Sequence, residues 1–303
     1  MKTFNDLNQT LQNIAMKKVA VACAQDEAVL AAVKAAKERG LADAILVGDA
    51  EKIKAAAEPL NMTLDDFEII HVAADYDAAL HAVRLVRDGI ADMYMKGLLD
   101  TKAFLKSVLD RDAGLRTGQP LSHVCVFDIE GMGRLLFLTD VAFIPYPTLE
   151  DKISIIKNTL AVTAACGITL PKVAPLAAVE VVNPKMGATV EAAELKRLNE
   201  TGEITDCVID GPLSLDLAIC PEAARHKGAT DRLIQGDADI LLFPDIHAGN
   251  LVYKTLVHTA KVQNGNILTG TTAPVILTSR SDECECKVNS IALGACVAGN
   301  MAV

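Results

Sequence analysis

The chain has 303 residues, 51% hydrophobic and 22% charged, with 29 basic against 39 acidic side chains and a net charge of −10. That composition supports a buried core and excludes a disordered polymer. It also excludes a global basic field for nucleic acid or anionic lipid, so any phosphate recognition rests on a few placed groups.

In chain order, an amphipathic opening helix (Phe4, Leu7, Leu11, Ile14) precedes a strand at Val19–Ala24 and a helix at Asp26–Arg39 closed by Gly40. Ala44–Val47 reads as a strand, followed by a helix over Ala50–Glu58 that Pro59 stops. Phe67–Val72, Ala91–Met95, His123–Asp128 and Leu135–Thr139 read as further strands, with helices over Asp75–Arg87 and Thr101–Arg111 between them. After Pro145 and Pro147 the pattern resumes: helix Leu149–Cys166, strand Lys172–Val179, helix Val190–Thr201, strand Cys207–Ile209 and helix Leu215–Arg225. Strand Ala238–Phe243, helix Ala248–Gln263, strand Pro274–Thr278 and a last helix from Asp282 complete the chain. Continuous apolar strands separated by helices predict an α/β fold with mainly parallel sheets, covered on both faces.

The eight cysteines are mostly isolated in apolar runs, which reads as reduced core residues rather than a disulfide framework. Cys284 and Cys286 form a C-x-C with no second ligand pair nearby, so no metal site is expected. The polar N-terminus and the lack of an apolar run near ~18 residues lead to the expectation of a cytoplasmic protein.

Ligands of open α/β sheets gather at the carboxyl ends of strands, so polar clusters there carry the functional reading. Lys96-Gly97, with Thr101 shortly after and Arg116 downstream, has the charge and backbone N–H groups to hold a phosphate. The alternative is a solvated lysine beside a turn glycine. It is not a Walker A loop, and Gly131-Met132-Gly133 lacks the third glycine and the helix of a dinucleotide fingerprint. Asp210-Gly211-Pro212-Leu213, followed by Asp216, reads equally as turn chemistry or as close approach to a ligand. The loop from Pro244 feeds a helix with Asn250, Tyr253 and Lys254 at spacings of three and four, a face for a polar ligand or a capped surface helix.

Ser279-Arg280 lies where a strand passes into a helix, and places a hydroxyl, a guanidinium and free N–H groups as a candidate oxyanion site. Asp282 and Glu285 have capping-box spacing. Cys286 falls about one turn into that helix, where the dipole would lower its thiol pKa; the competing reading is a small core residue.

At these residues the chain resembles the phosphate acetyltransferase/phosphate butyryltransferase family, closest to the butyryltransferase branch. The matching segments are Met95 to Thr101, Gly114-Leu115-Arg116-Thr117-Gly118, Leu121-Ser122-His123-Val124, Asp210 to Leu213, Asp239 to Lys254 and Pro274–Ile291. The resemblance implies exchange of a short acyl group (butyryl, acetyl or branched) between coenzyme A and phosphate, without a metal or resident cofactor. It implies two α/β domains of isocitrate-dehydrogenase-like architecture with an interdomain cleft. The first would span 1–140 and be completed by about 270–303; the second would span 141–269. Coenzyme A or acyl-CoA and phosphate or acyl phosphate are the implied partners, with no nucleic acid or membrane, in a homodimer or larger homo-oligomer. Carried over by position, Ser279 binds the phosphoryl or carbonyl oxygen and Arg280 offsets phosphate charge. Asn250, Tyr253 and Lys254, together with Lys96, Thr101 and Arg116, are substrate-binding candidates.

The chain departs from the family at Cys286, which stands where the family usually has an aspartate. Three readings follow: Glu285, or Asp282 one turn earlier, serves as the base; Cys286 itself ionises and acts as base or nucleophile; or the activity is altered. Two other function classes compete with acyl transfer. One is a metal-dependent dehydrogenase of isocitrate-dehydrogenase-like fold, for which Asp210, Asp216 and Asp245 supply acids but no cofactor motif appears. The other is a non-catalytic module that senses coenzyme A.

Overall fold

The computed structural model describes residues 1–278 and 282–301. The chain divides into two compact units: Phe4–Gln119 with Gln263–Val303, and Met1–Thr3 with Pro120–Val262.

The chain begins with α1 (Phe4–Leu11), β1 (Lys17–Ala22), α2 (Glu27–Glu38), β2 (Ala42–Gly48) and α3 (Ala50–Ala57). β3 (Glu68–His71), α4 (Asp75–Arg87), β4 (Met93–Lys96) and α5 (Thr101–Val108) follow. Aspartates start several of these helices. Asp26 caps α2 by accepting the Val29 N–H at 3.0 Å, and Asp100 caps α5 by accepting the Ala103 N–H at 2.9 Å. α5 stops three residues before the expected Arg111, because Asp110 takes the N–H groups of Asp112 and Ala113 into a turn.

The second stretch holds β5 (Ser122–Ile129), β6 (Leu135–Thr139), α6 (Leu149–Ala165), β7 (Lys172–Pro175), α7 (Gly187–Glu200) and β8 (Val208–Ile209). α8 (Leu215–Ile219), α9 (Pro221–His226), β9 (Ile240–Leu242) and α10 (Ile246–Thr259) complete it. The single helix expected over Leu215–Arg225 is two. Pro221 forces Cys220 into an extended conformation (φ −120°, ψ 107°), which ends α8 and lets the proline open α9. Within this unit the strand order is β5-β6-β9-β7-β8, parallel except for the antiparallel β5–β6 pair.

The chain closes with β10 (Val262–Thr269), β11 (Val275–Ile276) and α11 (Cys284–Asn300). β10 corrects the sequence reading, which ran one helix through Gln263; the helix ends at Thr259 and an unexpected strand follows. In the first unit the order is β3-β2-β1-β4-β11-β10, with only β10–β11 antiparallel. β1 is flanked by β2 and β4, so the strand order reverses between β1 and β4, the switch point at which open α/β sheets place ligands. α11 is buried from Cys286 through Val297 and packs on α2 and α1. Among the described residues no helix is long and apolar enough to cross a membrane.

Candidate active site

β1, β4 and β11 are parallel neighbours, so Cys23, Lys96 and Leu277 share one carboxyl edge of the first unit. Lys96, 7% exposed, ends β4 and donates through Nζ to the Gly97 carbonyl oxygen at 3.3 Å. Gly97 is needed here: a Cβ at this position would lie 2.2 Å from the Cys23 carbonyl oxygen. Its N–H instead donates to Ala22 O at 2.8 Å, and the next N–H, of Leu98, donates to Cys23 O at 2.7 Å. The strand ends are thereby laced tightly, and the buried lysine is held at the switch point. Thr101 is exposed at the first position of α5. Arg116, also exposed, bridges Thr271 in an antiparallel pairing, and the Thr117 hydroxyl donates to Gly270 O at 2.7 Å. Those contacts lay Arg116 beside the turn that joins β10 to β11.

Ser279 and Arg280 lie outside the described residues. After them, α11 begins with Glu283 as N-cap, whose side chain makes no capping hydrogen bond. The expected Asp282–Glu285 capping box does not form, because Glu285 turns to Arg39 instead. Arg39 Nη1 donates to Glu285 Oε1 at 2.7 Å, and Nη2 donates to Oε2 at 2.9 Å. Cys286 is buried against β10. Its Sγ accepts from Asn266 Nδ2 at 3.4 Å, and its carbonyl oxygen accepts from the Ser290 hydroxyl at 2.7 Å. Of the two readings of Cys286, the small core residue holds and the dipole-lowered thiol does not. Burial, reinforced by the negative charge of Asp282, pushes it up to about 12, against the lesser pull of Lys287 and hydrogen bonds from Ser290 and Asn264. Lys287 is itself buried and donates to the Asp282 carbonyl oxygen at 2.5 Å.

The remaining candidates belong to the other unit. Asn250 donates to Val141 O at 3.1 Å, and Tyr253 turns its ring into the core, edge-on to Phe127 at 5.8 Å. Lys254 is exposed, its ammonium 5.3 Å from the Tyr253 ring centre. Asp210 is fully buried. Its Oδ1 accepts from Lys196 at 2.9 Å and lies 3.5 Å from Arg232, while its Oδ2 accepts the Leu233 N–H at 2.9 Å. Gly211 admits Pro175, 3.2 Å from where a Cβ would stand, so this motif serves close backbone packing. Asp216 pairs with Lys227 at 2.9 Å.

The model of the family described as phosphate acetyl/butaryl transferase matches residues 3–78 and 70–295. The chain belongs to this family. It is 55% identical over 300 residues to the phosphate butyryltransferase of Clostridium acetobutylicum, covering 99% of each chain. A solved branched-chain phosphotransacylase from Enterococcus faecalis V583 is 33% identical, with a TM-score of 0.83 over 93% of this chain and 99% of that one. A 4-hydroxythreonine-4-phosphate dehydrogenase from Burkholderia phymatum shares the fold at 14% identity and a TM-score of 0.56, over 94% of this chain and 99% of that one. The dehydrogenase likeness is one of fold, and the chain is a phosphate acyltransferase.

Within that family setting, three side chains near the candidate residues escaped the sequence reading. Asn264 and Asn266 lie on the missed strand β10, where a polar Asn-Gly-Asn beside Ile267-Leu268 was the available signal. Arg39 offered none, since its partner is 246 residues away.

Proposed function

We propose that this chain transfers a butyryl or similarly short acyl group between coenzyme A and phosphate, with the reaction centred at the amino end of α11. The observation that carries this reading is 55% identity along 99% of a phosphate butyryltransferase. It is supported by a buried Lys96 at the end of β4, the neighbour of β11, which precedes Ser279 and Arg280 in the chain. Ser279 and Arg280 hold the phosphoryl group, with Lys96, Thr101 and Arg116 adding donors and positive charge. Asn250, Tyr253 and Lys254 stay as further substrate-binding candidates.

Toward acyl-CoA, the thiolate sulfur attacks the acyl phosphate carbonyl, an S–C bond forms, the C–O bond to phosphate breaks, and phosphate leaves. Toward acyl phosphate, a phosphate oxygen attacks the thioester and the thiolate leaves. A guanidinium stabilises charge in both directions, and positioning supplies much of the acceleration. With its pKa pushed up to about 12, Cys286 stays a thiol, so the proton acceptor is assigned to a carboxylate, Asp282 or Glu285. Coenzyme A enters as substrate, and no resident cofactor, nucleic acid or membrane is required.

The unit Phe4–Gln119 with Gln263–Val303 is read as one α/β domain completed by the C-terminal helix, and the other unit as the second. A cytoplasmic homodimer or larger homo-oligomer fits this reading. The test is release of coenzyme A thiol from acetyl-, butyryl- and branched-chain acyl-CoA with and without phosphate, at several pH values. Replacing Arg280 by Ala is expected to raise the KM for phosphate by at least tenfold; an unaffected KM removes that assignment.

A further inference from the structure

Glu285 is the second residue of α11 and stands shortly after Arg280 in the chain. Both of its carboxylate oxygens are taken by one guanidinium, at 2.7 and 2.9 Å, in the fork-to-fork geometry that fixes direction as well as distance. The donor, Arg39, is the C-cap of α2, a helix that packs against α11. Each charge complements its own helix: the carboxylate sits at an amino end and the guanidinium at a carboxyl end. Side chains of both partners are 44% and 45% exposed, so the pair adds little to global stability. Its effect is local, since the N-cap of α11 makes no side-chain hydrogen bond and the first turn needs other anchors. Two anchors hold it from the inner side, Asn266 on the Cys286 sulfur and Lys287 on the Asp282 carbonyl oxygen. Arg39 holds it from the outer side.

We propose that Arg39 is a positioning residue for the transfer reaction: by gripping both oxygens of Glu285 it fixes the first turn of α11, and Glu285 serves as the held half of this latch rather than as the proton acceptor. This presupposes phosphate-dependent acyl transfer at this end of α11.

A double-mutant cycle on the intact enzyme tests it, using butyryl-CoA and inorganic phosphate. Arg39→Met and Glu285→Gln are each expected to lower kcat/KM for phosphate by roughly five- to tenfold, with the KM for butyryl-CoA within about twofold of wild type. The double variant is expected to be no worse than either single one, because both remove the same contact. Arg39→Lys, which keeps the charge but not the fork, is expected to recover part of the loss. Hydrogen exchange supplies a readout independent of turnover: the amides of the first turn of α11 should exchange faster in Arg39→Met and in Glu285→Gln alike. A loss of about a thousandfold in Glu285→Gln, with Arg39→Met near wild type, would make Glu285 the base and overturn the latch. Unchanged exchange in both variants overturns it too. A wild-type enzyme that releases no thiol overturns the transferase reading; first-turn exchange that responds to Arg39 would then show the grip to be real but without a catalytic consequence.

Discussion

At the scale of single residues, Cys286 decides how the chemistry is assigned. Folding raises its thiol from the ordinary value of 9.0 to about 12, chiefly by burial. The folded protein therefore keeps a proton that the unfolded chain releases above about pH 9. The corresponding stability is fully present below that value and is lost as pH climbs toward about 12. Across about pH 6 to 9 the group does not titrate, so Cys286→Ser is expected to leave the pH–rate profile unchanged and kcat within about threefold. A displaced limb in that profile would return the sulfur to the chemistry. The sequence placed Cys286 about one turn into a helix and left two readings, a thiol lowered by the helix dipole and a small core residue. What it could not supply was the desolvation by β10, because the strand that buries the sulfur was not read. Tyr253 shows the same gap: its spacing with Asn250 and Lys254 was visible, but the ring's place against Phe127 depends on packing across the unit.

At the scale of elements, the edge formed by β1, β4 and β11 was legible and its tail was not. Lys96-Gly97 at a strand end could be read directly, since apolar strands followed by glycine and a capped helix leave few alternatives. β10 was hidden because Asn264, Gly265 and Asn266 are poor strand formers, and tertiary pairing overrides that preference. The split of α8 from α9 was within reach, as a proline inside an expected helix marks a boundary. The lacing of β1 to β4 makes its own prediction. A methyl group at position 97 would collide with the Cys23 carbonyl oxygen at 2.2 Å, a backbone atom that cannot swing aside. Gly97→Ala is therefore expected to destabilise the protein by about 1–3 kcal/mol and to displace Lys96. Thermal unfolding together with the KM for phosphate reads both effects. A wild-type melting temperature and KM would mean that the strand ends are looser than their hydrogen bonds indicate.

At the scale of the whole molecule, a net charge of −10 accompanies a reaction between anionic substrates. Long-range steering by a positive field is excluded, so the proposed recognition rests on local cations, Arg280, Lys96 and Arg116. The alternation of strands and helices made the α/β class legible because buried parallel strands and their helical crossovers carry different hydrophobic periods. Long-range pairs such as Arg39 with Glu285 carry no periodic signal and emerge only from the fold. The most direct measurement is the release of coenzyme A thiol from butyryl-CoA by the purified wild-type protein, followed as inorganic phosphate is titrated. Saturable, phosphate-dependent release with stoichiometric butyryl phosphate is the expected result. Folded protein that binds butyryl-CoA but releases no thiol at any phosphate concentration would contradict acyl transfer as the function of this chain.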